Sequence, residues 1–212
     1  GNVPSLGVPY GAEESDYQYL RDHPRPATLF DPTDGNLHVV YAGAMLPHAY
    51  GTLEALCRAL CDIRIKMPVL FERLRVHFIG TGSSPLDTHT YSVLPVAQRF
   101  GLAHTIIEHP ARIPFLDVLN HLSRSSAVLV LGSCDPHYSP SKIFQGVLAR
   151  RPLLAILHAQ STAAQLLARS HAGETVVFDE QKPCAESVQE ISEAFIKIVT
   201  EPYQERSIDW SF

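Results

Sequence analysis

From Leu37 onward, short apolar runs alternate with stretches whose apolar residues recur every three or four positions. The runs predict strands at His38–Ala42, Arg75–Ile79, His104–Glu108, Ala127–Leu131, Leu153–Leu157 and Thr175–Phe178. The periodic stretches predict helices at Thr52–Ile63, Tyr91–Phe100, Pro114–Ser123, Ser141–Ala149, Thr162–Ser170 and Ala185–Thr200. Thr52–Ile63 puts Leu53, Leu56, Leu60 and Ile63 on one face, as packing on a sheet requires. Strict alternation of strand and helix specifies an α/β fold: a doubly wound, Rossmann-like parallel sheet of about six strands with helices on both faces. Residues 1–37 are rich in Pro, Gly, Asp and Tyr and read as a linker or arm, with one short helix around Glu14–Arg21. Residues 38–201 form the α/β domain, and residues 202–212 an irregular tail with an aromatic end.

The segment AVLVLGSCDPHYSPSKIFQGVLARRPLLAIL, Ala127 to Leu157, carries the most chemistry. Its two apolar runs joined by one helix read as a β-α-β unit whose strands are buried on both faces. The loop Gly132–Ser139 and the first helical turn then line the crevice where open α/β sheets bind ligands. Ser139 reads as the N-cap and Pro140 as the first helical residue, and the free N–H groups of that turn attract anions. Lys142 in that turn opposes the helix dipole, and a phosphate lodged between Lys142 and the helix end would remove the conflict. Gly80-Thr81-Gly82-Ser83 is a second candidate lining, though Gly-x-Gly also reads as a strand-end turn. Gly43 is expected in a tight turn beneath the cleft.

Charge and special residues narrow the classes. The chain has 212 residues and a formal net charge of −5, without a Lys/Arg run, which argues against nucleic-acid and membrane-patch surfaces. Four scattered cysteines show neither zinc spacing nor a disulfide framework, so a reducing cytoplasm is the default compartment. The 11 histidines pair with no acidic ligands in a metal-binding spacing, and no metal is expected. His38, His77 and His104 sit at or within strands and are expected as hydrogen-bonded structural residues. No apolar run reaches membrane-spanning length. The opening Gly in place of Met points to a fragment of a longer chain.

Several motifs also carry a resemblance. VVYAGAMLPHAYGTLEALCRAL resembles the opening of the C-terminal domain of GT-B glycosyltransferases, usually YxGxLxxxKGxxxLLxA. RVHFIGTG is similar to that domain's second strand and glycine loop, and HTIIEHPARIPFLDVLNHLSRSSAVLVLGS to the segment leading to the donor loop. YSPSKIFQGVLARRPLLAI resembles the PxKLxEYLAxGxPVLA element, and VPSLGVP the interdomain linker. The ordered set is similar to the family 4, or group 1, glycosyltransferases.

The resemblance implies that the chain is the donor half of a two-domain enzyme, binding a nucleotide-diphosphate sugar while a separate N-terminal domain holds the acceptor. It implies no metal, since the family offsets leaving-group charge with helix dipoles and basic side chains. The implied ligand contacts are Gly43, Gly80, Thr81, Gly82, Arg112, His137, Ser139, Ser141, Lys142 and Gln145. The chain also departs from the family. His137 and Gln145 stand where many retaining members carry a Glu-x7-Glu pair, the second glutamate holding the ribose. The usual Arg and Lys near the first strand are Ala44 and Tyr50, leaving Lys142 or Arg112 to compensate, and a usual glycine is Arg151. Two other classes stay open: a degenerate nucleotide-binding or interaction module, and a nucleotide-sugar epimerase-like domain. A dinucleotide oxidoreductase fits less well, because Tyr-Ala-Gly-Ala-Met lacks G-x-G-x-x-G and no acid ends the second strand.

Overall fold

The computed structural model describes residues 11–84, 87–136 and 138–210, with Arg206 described by its backbone alone. His137 and the VPSLGVP segment lie outside the described residues. Six strands form one parallel sheet: β1 (Leu37–Ala42), β2 (Leu74–Ile79), β3 (Ile106–His109), β4 (Ala127–Leu131), β5 (Leu153–His158) and β6 (Glu174–Phe178), in the order β3-β2-β1-β4-β5-β6. The helices are α1 (Glu14–Asp22), α2 (Tyr50–Lys66), α3 (Pro68–Glu72), α4 (Leu94–Arg99), α5 (Phe115–Arg124), α6 (Lys142–Leu148), α7 (Thr162–Ser170) and α8 (Val188–Thr200). Among the described residues, no helix is long and apolar enough to cross a membrane.

Successive strand side chains point to opposite faces, so each strand feeds two cores. On one face Val39, Val76, Phe78 and Leu129 pack with Leu53, Leu56 and Leu60 of α2 and Phe195 of α8. On the other, Val40, Ile79, Val128 and Ala155 pack with Leu119 of α5, Ile143 of α6 and Leu167 of α7. Double-sided burial is why β4 and β5 read as unbroken apolar runs: every residue of both is buried. A fully buried Leu56 or Phe195 contributes about 1.5–3 kcal/mol by leaving water.

Residues 11–36 are laid down on the second face, where Tyr17, Leu20 and Phe30 join its core. The Tyr17 hydroxyl donates to the Gln145 carbonyl at 2.7 Å, fastening α1 to α6. In the tail, the Asp209 N–H donates to the Ser170 carbonyl at 2.8 Å.

All six strands form where the apolar runs place them, five of them to within one residue at each end. β3 begins at Ile106, not His104, because the Thr105 and Ile106 N–H groups turn back to the Leu102 carbonyl. His104 is therefore exposed and lies outside the strand. α4 starts at Leu94 and not at Tyr91, and Cys184–Glu186 forms a 3-10 turn ahead of α8. α3 has no counterpart in the periodicity; Pro68 opens it at the first helical position.

Three histidines form a chain across the second face. His38 Nε2 donates to Asp34 Oδ1 (3.0 Å), so His38 Nδ1 accepts from His77 Nε2 (3.0 Å), while His77 Nδ1 faces His109 Nε2 at 3.5 Å. Phe30 stacks on His38 with ring centroids 4.5 Å apart, and His38 and His77 are both buried. Burial first, then the neighbouring His38, His109, His121 and Arg75, pushes the His77 imidazole down to about 3. The fold thus holds His77 neutral while the unfolded chain takes up a proton near its ordinary 6.5. Stability is complete above that value and falls as pH drops toward 3, by about 1.4 kcal/mol per pH unit at most. Urea unfolding of the wild type should show this loss and His77→Gln should flatten it; an unchanged slope in the variant would assign the acid loss to other groups.

Candidate functional site

β1 pairs with β2 on one side and β4 on the other, so the loops after β1 and β4 leave in different directions at the strands' C-terminal ends. Gly43 follows β1 directly, and its N–H donates to the Ile79 carbonyl at 2.9 Å. Its φ of 149° is one that side-chain-bearing residues rarely adopt. A Cβ there would lie 3.7 Å from Tyr41 Oη and 3.9 Å from Lys142 Cγ. The fold therefore brings Gly43 and Lys142 together at the switch point. Tyr41, buried beneath them, donates to the Ala44 carbonyl at 3.1 Å, and burial raises its phenol above the usual range.

Lys142 is the first residue of α6 and its side chain is exposed. Ser139 is not the N-cap of this helix. The cap position falls at Ser141, whose backbone is already α-helical and whose side chain makes no capping bond. The Ser139 hydroxyl instead bonds Ser161 Oγ (3.3 Å) and Thr162 Oγ1, tying the loop to the start of α7.

The β2 loop continues the sheet ladder. Gly80 N–H donates to the His109 carbonyl (2.8 Å), Gly82 N–H to the Pro110 carbonyl (3.0 Å), and Met45 N–H to the Thr81 carbonyl (3.2 Å). The Gly80 and Gly82 amides are thus paired within the protein and are not free donors for a diphosphate. A Cβ on Gly82 would collide with the backbone oxygens of Asp87 and Pro110, the latter at 2.9 Å. Arg112 lies against Gly80, its Cα and Cγ each 4.0 Å from where a Gly80 Cβ would sit.

Thr81 is buried, and its hydroxyl donates to Glu108 Oε1 at 2.6 Å. The same carboxylate accepts from Ser92 N–H (2.9 Å) and Oγ–H (3.1 Å), Val93 N–H (2.9 Å) and Leu94 N–H (2.7 Å). One buried carboxylate from β3 therefore caps α4 and fixes the glycine loop. This explains the start of α4 at Leu94: its cap comes from the neighbouring strand, outside the reach of local periodicity.

Gln145 lies one turn into α6 and is only 2% exposed. Its Oε1 is buried without a hydrogen-bond partner among the described residues. The structure therefore brings together Gly43 with Lys142 and Gly80 with Arg112, with Gln145 recessed beneath the surface.

A neighbouring cavity was not expected from the sequence. It measures about 390 Å³, and its walls include Gly51, Cys134, His158, Phe178 and Cys184. His158 Nδ1 accepts from the Gln160 N–H at 3.2 Å, so Nε2 carries the proton; it is buried and makes no hydrogen bond among the described residues, with Glu180 Oε1 3.6 Å away. Burial pushes the Cys184 thiol up to about 12. In the sequence, His158 is merely the end of an apolar strand, so no local signal marks it. Among the described residues, no three His, Cys, Asp or Glu side chains are grouped to hold a metal ion.

No family profile and no curated protein sequence matches the chain. Solved structures do. A UDP-forming α,α-trehalose-phosphate synthase from Burkholderia xenovorans matches with a TM-score of 0.66 and 15% identity, over 92% of this chain and 43% of that one. WaaG, a glycosyltransferase involved in lipopolysaccharide biosynthesis, matches with a TM-score of 0.57 and 13% identity, over 91% and 44%. The S. aureus MnaA–UDP co-structure matches with a TM-score of 0.58 and 15% identity, over 94% and 45%. The fold is that of one GT-B domain. The chain spans less than half the length of each of these proteins.

Removing the Glu108 carboxylate would leave several buried donors unsatisfied. Glu108→Ala should lower the unfolding free energy by about 2–4 kcal/mol, and Thr81→Val, which deletes one bond, by about 1 kcal/mol. Denaturant unfolding measures both; equal effects would contradict the capping role of Glu108.

Proposed function

We propose that the chain is the donor half of a glycosyltransferase, holding a nucleotide-diphosphate sugar for an acceptor bound by a second domain. The observation that carries this reading is the meeting of Gly43 and Lys142 at the switch point of a GT-B domain. Sugar transfer makes the anomeric carbon cation-like while the diphosphate departs, so catalysis rests on stabilising negative charge on the leaving group. Lys142 supplies a full charge. The backbone N–H groups of Ser141 and Lys142 add their dipoles, while that of Ile143 is already taken by the Pro140 carbonyl. The bare Gly43 backbone lets the diphosphate come close, and Arg112 beside Gly80 supplies a second cation. Gly80, Thr81 and Gly82 contribute shape, not donors.

In the same reading, Ser139 belongs to the donor loop and Gln145 contacts the ribose. A ribose hydroxyl would supply the donor that Gln145 Oε1 lacks, once that side chain turns outward from its buried position. No metal is needed, because the leaving-group charge is met by Lys142, Arg112 and backbone N–H groups. All four cysteines are free, in keeping with a cytoplasmic setting.

A second reading, a degenerate nucleotide-binding or interaction module, draws on two observations: Gln145 is recessed, and the Gly80 and Gly82 amides are already paired.

Thermal-shift titration with UDP, GDP, ADP and CMP, and calorimetry on Lys142→Ala, separate the two readings. The donor reading expects one nucleoside diphosphate to raise the melting temperature, and Lys142→Ala to weaken its binding by about 1–3 kcal/mol. Lys142 is exposed, so the variant should keep its stability. An unchanged dissociation constant would remove Lys142 from the site. For Gln145, wild type should bind the 2′-deoxy analogue less tightly; equal binding would count against a ribose contact.

A further inference from the structure

At the opposite end of the sheet, below the N-terminal ends of β4 and β5, α1, α5 and α6 enclose a cleft of about 450 Å³. Arg21, Arg124, Arg150 and Arg151 line it. In a chain of net charge −5, four guanidinium groups around one cleft are a marked local excess. Among the described residues, only Arg150 pairs with carboxylates: its two Nη atoms meet Glu14 (2.8 Å) and Glu205 (2.9 Å). Among the described residues, the other three have neutral partners alone. Arg21 donates Nε and Nη2 to Gln18 Oε1, Arg124 donates Nε to Asn120 Oδ1, and Arg151 donates Nε to the Ser123 carbonyl. Each keeps at least three N–H groups unused.

Part of this charge has a structural explanation. The C-terminal ends of α1, α5 and α6 lie at the cleft and attract cations. Each helix end carries about half a negative charge, and the two carboxylates on Arg150 leave one negative charge over, so about half of one positive charge and the unused N–H groups remain. The remainder is uncompensated. Partial burial also lowers the Arg151 guanidinium below its ordinary value, as expected for a cation withdrawn from water without a carboxylate. A bound oxyanion removes both costs, and the planar forks of Arg124 and Arg151 suit a phosphate. Beside the arginines, Tyr17, Leu20, Pro24 and Leu148 give the cleft an apolar wall. Its volume falls within the range of small-molecule sites and exceeds what inorganic phosphate alone would fill.

We infer that this cleft is a second ligand site, separate from the Lys142 crevice, and that it takes the phosphate group of a small organic ester. The assignment does not depend on the glycosyltransferase reading, because the two sites lie at opposite ends of the sheet. Occupancy would tighten α1 against α6, whose Gln145 carbonyl is already held by Tyr17, and so reach the helix that carries Lys142.

Amide NMR titration of the whole chain with inorganic phosphate tests the site. The signals of Ser123, Arg124 and Arg151 should move in a saturable manner, while those of Gly43 and Ser141 report the crevice separately. Arg124→Gln with Arg151→Gln should weaken the cleft response about tenfold or more, and so should Arg21→Gln in part if the pair perturbs folding. Phosphatidylglycerol vesicles, compared with phosphatidylcholine vesicles, distinguish a lipid phosphate from a free ester: the proposal expects phosphate to act and the vesicles to leave the signals unchanged. Stationary cleft signals, an undiminished response in the arginine variants, or a response to anionic vesicles alone would each overturn it.

Discussion

The split pairing of β1, with β2 on one side and β4 on the other, is the constraint on which the site depends. Parallel strands deliver all their following loops to one edge, and the reversal of strand order at β1 sends two of those loops apart. Hydrogen bonds then hold the edges of the gap. Thr52 Oγ1 donates to the Gly132 carbonyl at 3.0 Å, and the Cys134 N–H donates to the His48 carbonyl at 3.0 Å, joining the β1 and β4 loops. On the other side, Gly43 and Met45 N–H groups bond the end of β2 and its loop. Gly43 and Lys142 can meet because both flanks are fixed.

The interior shows where polar groups are settled and where they are not. Glu108 collects five hydrogen bonds and thereby organises β3, α4 and the glycine loop. The histidine chain satisfies three rings in series from Asp34. Among the described residues, Gln145 Oε1 and His158 Nε2 are buried without hydrogen bonds; leaving the Gln145 oxygen so costs about 1–3 kcal/mol, while His158 has the Glu180 carboxylate at 3.6 Å. His158 ends β5 and so lies at the C-terminal edge of the sheet, the edge at which open α/β sheets take their ligands.

Much of this was legible in the sequence, and the remainder was hidden for identifiable reasons. β4 and β5 were plain because burial on both faces leaves no polar interruption. Lys142 stood out because a cation at a helix start needs an explanation. The start of α4 was not legible, because Glu108 caps it from a neighbouring strand. Ser139 read as a cap from composition, yet the backbone placed the helix start two residues later and gave its hydroxyl to α7. The inward position of Gln145 and the orphaned His158 ring depend on packing that no local pattern encodes. Nor does spacing reveal that Arg21, Arg124 and Arg151 share a cleft, since α1, α5 and α6 meet only in the fold.

A crystal structure of the chain with a bound nucleoside diphosphate tests the central claim most directly. The account predicts phosphate density between the Lys142 ammonium and the Gly43 backbone, with the nucleoside extending along the crevice formed by the β1 and β4 loops. A diphosphate bound away from both residues, for example in the cavity beside Cys134 and His158, would contradict it.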